Sequence, residues 1–272
     1  MRRMVDVSMS ALETLTGIAR DAGDLIMEFY DAVPDVAYKA DASPLTAADR
    51  AAHAVILRAL QAWDETIPVV SEEGEIPSYN ERRSWPRFWL VDPLDGTKEF
   101  LARNGEFTVN IALIDRGEPT LGVVHAPALD LTYVAAAGLG AWRSSGTQAP
   151  TRLAASASPA RVTRIVESRS HPNPRLEAFL AGLGPIQRIP LGSSLKFCRV
   201  AEGEADLYPR FGPTMEWDVA AGDCIFRCSS GAGSPRRSPL VYNQPTLTIP
   251  EFVIGASELP PLDGRGGPTW NI

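Results

Sequence analysis

Cysteine and histidine, the residues that zinc sites most often use, are scarce in this sequence. The chain has 272 residues and only three of each. Cys198, Cys224 and Cys228 include no C-x-x-C pair, and the three histidines are scattered without ligand spacing. A zinc site or a disulfide-stabilised secreted fold is therefore not expected, and the odd number of thiols fits a reducing compartment.

Long apolar runs are also missing. The longest, such as residues 133–139, are far shorter than the roughly 20 residues that span a bilayer. Near the N-terminus, Asp6 and Glu13 interrupt the apolar segment that a signal peptide requires. We therefore expect no transmembrane segment and no export, and we expect a cytoplasmic location.

The sequence has no excess of positive charge and no internal repeat. A formal net charge of −7 argues against a broad surface for nucleic acid or anionic membrane. It does not exclude a small anionic substrate, because bound metal ions could reverse the sign of the charge locally.

The first half of the chain has an α+β pattern. Residues 9–30 place apolar side chains at three- and four-residue steps, which predicts a helix. A second helix is predicted with Thr46 as its N-cap and Asp49 at the capping-box position. Short apolar runs then predict a largely antiparallel sheet: Ile67–Val70, Phe88–Val91, Thr108–Ile114, Leu121–His125 and Leu131–Ala135.

The second half has an alternating α/β pattern. It follows a Ser/Ala/Pro-rich stretch, residues 144–160, which is predicted to be a connecting loop. The predicted strands are Arg164–Ser168, Ile186–Pro190 and Ala205–Tyr208, and the predicted helices are Arg175–Ala181, Ser194–Ala201 and Asp218–Cys228. The prediction is thus a single domain, residues 1–272, with an α+β half (1–143) and an α/β half (161–272).

The most informative stretch is FWLVDPLDGTKEF, residues 88–100. Asp92 and Asp95 follow a buried strand, which Pro93 is predicted to end. Carboxylate oxygens suit hard cations such as Mg²⁺, and the carbonyl of Leu94 could supply another oxygen. An ordinary solvated turn uses the same residue types, so this stretch alone does not decide between the two readings.

Two further acidic motifs lie far from this stretch in the chain. Glu72, in SEE, follows a short apolar strand, and Asp218, in WDVAAGD, opens a predicted helix. Each has an ordinary explanation, since Glu72 could be a solvated strand end and Asp218 a helix N-cap.

Together, SEE, DPLDGT and WDVAAGD resemble the signature of the inositol monophosphatase superfamily of metal-dependent, lithium-sensitive phosphatases, over nearly the whole chain. Further stretches resemble its 3'(2'),5'-bisphosphate nucleotidase (CysQ-type) branch: KEF (98–100), RNGEFTVN (103–110), GSSLKFC (192–198) and YPR (208–210). The resemblance implies a layered αβαβα sandwich of the sugar-phosphatase type.

The resemblance also implies a set of Mg²⁺ ligands. Glu72, Asp92 and the Leu94 carbonyl would bind one ion. A second would be bound by Asp92, Asp95 and Asp218, and a weaker third ion would depend on Glu72. Two or three Mg²⁺ ions are therefore the expected cofactors.

Two more residues receive catalytic roles by the same resemblance. Thr97 would orient the attacking water together with Glu72, and Asp49 would hydrogen-bond Thr97. The local alternative for Asp49 is a capping-box partner of Thr46.

The substrate would contact several of these residues and some basic ones. The expected substrate-binding residues are Glu72, Leu94, Asp95, Gly96, Thr97, Ser193, Lys196, Arg210 and Asp218. Lys98 and Arg169 are further candidates for a second phosphate. The serines at 193 and 194 could contact the substrate or cap the following helix.

The implied reaction is hydrolysis of adenosine 3',5'-bisphosphate to AMP and phosphate by metal-activated water. An inositol phosphate or another sugar phosphate is the alternative substrate, and a non-catalytic nucleotide- or metal-binding module is a third interpretation. The expected partner is a small phosphomonoester, with no nucleic acid; a homodimer and peripheral attachment to the inner membrane face are left open.

After WDVAAGD the chain departs from the family pattern. Ser230 stands where a glycine is usual, and Arg236 and Arg237 replace a turn that is commonly acidic. A loop is therefore predicted between Cys228 and Ser238.

Overall fold

Five layers of secondary structure follow one another across the protein. The computed structural model describes residues 5–32, 43–153, 162–170, 173–230 and 238–255. Two long helices cover one face of a seven-stranded sheet, two helices lie between this sheet and a four-stranded sheet, and one more helix covers the outer face. This arrangement confirms the predicted αβαβα fold class.

The helices are α1 (Met9–Ala32), α2 (Ser43–Trp63), α3 (Tyr79–Arg82), α4 (Thr97–Leu101), α5 (Pro174–Leu180), α6 (Leu195–Glu202) and α7 (Glu216–Cys228). Within the described residues, no helix combines the length and the apolarity needed to cross a membrane.

The first sheet runs in sequence order and comprises β1 (Val69–Ser71), β2 (Arg87–Asp95), β3 (Thr108–Asp115), β4 (Glu118–Ala126), β5 (Leu131–Ala136), β6 (Gly140–Ser145) and β7 (Thr151–Arg152). Strands β1 and β2 are parallel and the later neighbours are antiparallel.

The second sheet has the order β13-β10-β8-β9, and β11 pairs separately with β12. Its strands and this pair are β8 (Thr163–Ser168), β9 (Ile186–Leu191), β10 (Leu207–Arg210), β11 (Thr214–Met215), β12 (Thr248–Ile249) and β13 (Phe252–Gly255).

The packing of strand β2 explains why the strands of the first sheet appear in the sequence as nearly continuous apolar runs. Phe88 and Leu90 pack into the core on the side of α6 and α7, whereas Trp89 and Val91 pack into the core beneath α1 and α2. Successive side chains of a strand point to opposite faces, so a sheet covered on both sides needs apolar residues at every position.

Strand β2 does not end at Pro93, as was predicted, but continues to Asp95. Asp92 pairs with Asn110 and Asp95 with Thr108, so β2 carries one more residue than β3 across this interval. Such a bulge tolerates a proline, which has no N–H to donate to the ladder.

Helix α2 begins earlier than predicted. It starts at Ser43, so Thr46 lies inside the helix and the predicted N-cap and capping box with Asp49 are wrong. The physical reason lies in the Ser43-Pro44 pair, since proline is favoured in the first turn of a helix.

The predicted connecting loop is wrong in part. Strand β6 extends to Ser145 and β7 covers Thr151–Arg152, while residues 154–161 lie outside the described residues. The loop predicted after Cys228 begins where α7 ends, and residues 231–237 also lie outside the described residues. The division into halves at 143 and 161 stays a prediction.

Candidate active site

A cavity of about 330 Å³ lies between the two sheets. Its wall from the first half follows the ends of β1 and β2, and its wall from the second half follows the starts of α6 and α7. Of the residues predicted for the site, Asp49 and Arg169 do not line this cavity, and the others do. The fold thus brings together residues that are far apart in the chain.

Three carboxylates meet at the floor of the cavity. One oxygen each from Glu72, Asp92 and Asp218 lies within 4.8 Å of the other two. The parallel pairing of β1 with β2 places Glu72 there, because the Glu72 N–H donates to the Val91 carbonyl at 3.1 Å, next to Asp92. This is a donor set that a hard divalent cation would accept.

The first turn of α7 holds Asp218 in a fixed orientation. Its Oδ2 accepts hydrogen bonds from the Thr214 hydroxyl at 2.6 Å and from the Met215 N–H at 2.9 Å. Met215 occupies the N-cap position and Asp218 lies at N3, so Asp218 is not the N-cap itself but caps the helix as a capping-box partner by accepting the Met215 N–H.

The acids of this cluster oppose one another's ionisation. Burial, followed by the charge of Asp95, raises the pKa of Asp92. Burial and the charge of Asp218 raise the pKa of Asp95 to about 7 and also raise the pKa of Glu72. Because a bound cation would relieve this repulsion, the residues present fit a divalent metal.

Asp49 lies on α2, close to the cluster but outside the cavity lining. Burial, the charges of Glu73 and Glu72 and a hydrogen bond with Glu73 raise the pKa of Asp49 to about 8. Its Oδ1 is buried without a hydrogen-bond partner. Because no hydrogen bond joins Asp49 to Thr97 among those described here, the role of Asp49 stays a prediction.

Gly96 allows the chain to turn sharply between Asp95 and α4. Its φ of +94° lies in the left-handed region, and an added Cβ would lie 3.2 Å from the Glu106 carbonyl oxygen. Thr97 is then the first residue of α4 and lines the cavity. A larger residue at position 96 would therefore disturb the position of Thr97.

The wall of the second half carries a buried cation. Lys196 is 4% exposed, and its Nζ donates to the carbonyls of Ser193 and Leu191 and lies 5.7 Å from the centre of the Tyr208 ring. Burial lowers its pKa to about 8, although the charge of Asp95 opposes this shift. Nearby, Arg210 lines the cavity and donates to the Pro213 carbonyl at 3.1 Å.

The two serines of the Gly192–Ser194 turn differ in whether their hydroxyl groups already have a hydrogen-bond partner. The Ser194 hydroxyl donates to the Asp218 carbonyl and makes no helix-capping hydrogen bond. The Ser193 hydroxyl is buried without a hydrogen-bond partner in the described structure. Of the two, Ser193 is therefore the better candidate for a ligand contact.

Sequence reasoning gave no role to Asn110. This fully buried residue of β3 donates from Nδ2 to Asp95 Oδ2 at 3.4 Å and to Ser194 Oγ at 3.1 Å. It thereby connects a carboxylate of the first half with the start of α6. The available signal was a lone amide in the otherwise apolar strand TVNIALI.

Arg169, one of the candidates for a second phosphate, does not line the cavity. Its guanidinium donates to both carboxylate oxygens of Glu106, at 2.9 and 2.6 Å. Lys98, by contrast, is part of the lining.

Comparison with known proteins agrees with this geometry. A model of the inositol monophosphatase family matches residues 9–234. The 3'(2'),5'-bisphosphate nucleotidase CysQ of Salmonella typhimurium is 53% identical over 216 residues, which cover 79% of this chain and 86% of that protein. The protein of that name from Haemophilus influenzae is 34% identical over 254 residues, covering 92% and 94%.

Solved structures give the same result. CysQ from Bacteroides thetaiotaomicron, described as a bacterial member of the inositol monophosphatase family, has a TM-score of 0.79 and 40% identity and covers 92% of this chain and 98% of its own. Inositol monophosphatase II from Staphylococcus aureus has a TM-score of 0.70 at 21% identity, covers 92% and 89%, and is evidence for the fold alone. The resemblance read from the three motifs is thereby confirmed.

Proposed function

The chain belongs to the inositol monophosphatase family, and on that premise we propose that it is a 3'(2'),5'-bisphosphate nucleotidase, which converts adenosine 3',5'-bisphosphate to AMP and phosphate. The observation that carries the proposal is the meeting of Glu72, Asp92 and Asp218 beside a cavity that also contains a buried lysine. Relatives of this chain bear the same activity in their names.

Enzymes of this family are metal-dependent, and the proposed ions are two or three Mg²⁺. Glu72, Asp92 and Leu94 would hold one, and Asp92 would share a second with Asp95 and Asp218. Bound Mg²⁺ supplies Lewis-acid polarisation of phosphate oxygens and lowers the pKa of a water molecule. The raised pKa values of these acids support this assignment, because a cation removes the repulsion that causes them.

The remaining residues of the first half orient the reacting groups. Thr97, with Glu72, would orient the attacking water. The glycine at position 96 allows a phosphate to approach the backbone closely. Phosphoryl transfer needs positioning and charge stabilisation more than a protein nucleophile, which agrees with a cavity built around acids.

The wall of the second half would receive the rest of the substrate. A nucleoside bisphosphate carries a second phosphate, for which Lys196 and Arg210 are the proposed cationic partners, with the Ser193 hydroxyl beside them. An uncharged inositol ring at the same place would offer neither cation a phosphate, which favours the nucleotide.

Turnover of three phosphomonoesters under identical conditions tests the proposal. Adenosine 3',5'-bisphosphate, inositol 1-phosphate and fructose 1,6-bisphosphate are each incubated with the protein and Mg²⁺, and phosphate release is measured. We expect kcat/KM for the nucleotide to exceed the other two by at least about tenfold, the discrimination expected of one buried charged contact. A preference for inositol 1-phosphate would replace the proposed substrate, and no release from any ester would favour a binding module.

A further inference from the structure

The loop between α4 and β3 lies between the two turns that carry the active site. One turn holds Asp95 and Thr97 around Gly96, and the other holds Ser193 and Lys196 after Gly192. The backbone of Glu106 contacts both. An added Cβ would lie 3.2 Å from the Glu106 carbonyl oxygen at Gly96 and 2.6 Å from the same oxygen at Gly192. Both turns thus use the absence of a side chain to pack against Glu106, and Gly192 also packs against the side chain of Glu99, whose Cγ would lie 2.5 Å from an added Cβ.

The side chain of Glu106 makes a second connection to the second half of the chain. Its Oε2 accepts the Gly192 N–H at 2.8 Å, and both of its oxygens accept from Arg169, which follows β8. Arg169 in turn donates to the Pro190 carbonyl at 2.8 Å, just before the turn. The carboxylate of Glu106 therefore joins the first half of the chain to the start of the substrate-binding turn, directly at Gly192 and through Arg169 at Pro190.

The turn that Glu106 holds is strained. Ser193 has a φ of +47°, which side-chain-bearing residues seldom adopt. The carbonyl of Ser193 accepts the Lys196 ammonium, so the lysine is oriented through the turn rather than by a carboxylate of its own. A displacement of Gly192 would consequently move both the free Ser193 hydroxyl and the buried cation.

We propose that Glu106 is a positioning residue for substrate recognition: with Arg169 it fixes the Gly192–Ser194 turn so that Ser193 and Lys196 face the second phosphate of the substrate. The inference rests on the proposed function and deepens it. Glu106 does not line the cavity, so it acts through the turn. The reacting phosphate, held by the acids of the first half and by Asp218, depends on it much less.

Kinetics with two nucleotides test this role. Glu106→Ala keeps the carbonyl that packs against both glycines and the Cβ that packs against Gly192, and it removes the carboxylate. With adenosine 3',5'-bisphosphate, we expect KM to rise by about tenfold, the effect of losing an oriented charged hydrogen bond, while kcat changes by less than about threefold. With adenosine 3'-monophosphate, which lacks the second phosphate, we expect kcat/KM to change by less than about threefold.

Two variants accompany the alanine. Glu106→Gln retains an oxygen for the Gly192 N–H but not the charge that pairs with Arg169, so we expect a smaller rise in KM than for the alanine variant. If the alanine variant does not fold, the glutamine variant tests the same role. Glu177→Ala removes an exposed carboxylate from another Arg pair, with Arg188, and should leave both kinetic constants unchanged. Thermal unfolding confirms that each variant is folded.

The outcomes separate the two proposals. If the unaltered protein does not hydrolyse the bisphosphate, the proposed function fails, and the inference fails with it. If the protein does hydrolyse it but folded Glu106 variants keep the original KM, or lose kcat/KM equally for both nucleotides, the positioning role of Glu106 is wrong and the proposed function stands.

Discussion

At the scale of single residues, the fold holds the carboxylates of the site close enough to repel one another. Asp92 is buried and Asp95 is partly buried at the end of β2, and Asp218 meets them from the other half. Burial alone would favour their neutral forms, and each neighbouring charge adds to that effect. The metal-free protein should therefore be less stable at any pH at which these acids are forced to ionise.

The pH dependence of stability tests this conflict at Asp95. Its folded pKa is about 7, above the ordinary value of 3.8, so between these values the folded state binds more protons and stability falls as pH rises. Relative to the metal-free original, Asp95→Asn should therefore gain roughly 2–3 kcal/mol in the free energy of urea unfolding between pH 5 and pH 8, and be the more stable protein at pH 8, because only the original loses stability as Asp95 ionises. Added Mg²⁺ should reverse this order.

A matched control is Asp64→Asn. Hydrogen bonds from Thr66 lower the pKa of Asp64, so this group is ionised throughout pH 5 to 8. The difference in the free energy of unfolding between Asp64→Asn and the original protein should not vary across that range. A pH-independent difference for Asp95→Asn as well would contradict the raised pKa at the site.

The acids could be foreseen from the sequence, but Asn110, which donates to Asp95, and Glu106, which accepts from Gly192, could not. Asp92 and Asp95 stand in a recognisable motif, whereas Asn110 and Glu106 acquire their roles only from partners far away in the chain. Arg169 shows the same limit, since a basic residue in a motif stretch was a reasonable phosphate ligand until its pairing with Glu106 was visible.

At the scale of elements, close packing fixes the helix that carries Asp218. An added Cβ on Gly222 of α7 would lie 2.7 Å from the Phe197 Cβ of α6, and one on Gly122 of β4 would lie 2.7 Å from the Cys224 Cβ of α7. Helix α7 is thus held against both α6 and the first sheet. The orientation of Asp218 depends on these contacts as well as on its own hydrogen bonds.

Alanine at two helical glycines tests this packing. In a helix, alanine is more favourable than glycine by about 1 kcal/mol. A change from glycine to alanine therefore stabilises the protein unless poor packing of the added methyl group outweighs this gain. Gly222→Ala should lower the free energy of unfolding by about 1–3 kcal/mol because Phe197 must move. Gly17→Ala, on an exposed face of α1 with no atom within 4 Å of the added Cβ, should raise it by up to about 1 kcal/mol. Urea unfolding measures both, and a stabilised Gly222 variant would show that the contact is loose.

Elements with strong apolar patterns were foreseen, and those without were missed. The core strands of the first sheet agree with their runs to within a few residues, since burial on both faces favours apolar residues at most positions. Strand β6, GAWRSS, and the two-residue β7 lie at the less buried end of the sheet and carry no such run. Their pairing is decided by the neighbouring strand rather than by their own composition.

At the scale of the whole molecule, the site exists only because two sheets and the helices between them bring distant acids together. Local patterns could place Glu72 at a strand end and Asp218 at a helix start, but not beside each other. The convergence was available beforehand only through the family resemblance. The proposed site requires that acids from both halves bind the same metal ions.

Calorimetric titration of Mg²⁺ into the metal-free protein tests that claim most directly. We expect binding of two or more ions, and Asp92→Asn and Asp218→Asn should each weaken the tighter binding by at least about tenfold, since even indirect partners of a metal commonly contribute that much. Asp115→Asn, outside the cavity, should bind as the original does. A folded Asp218→Asn protein that retains the original stoichiometry and affinity would contradict the account.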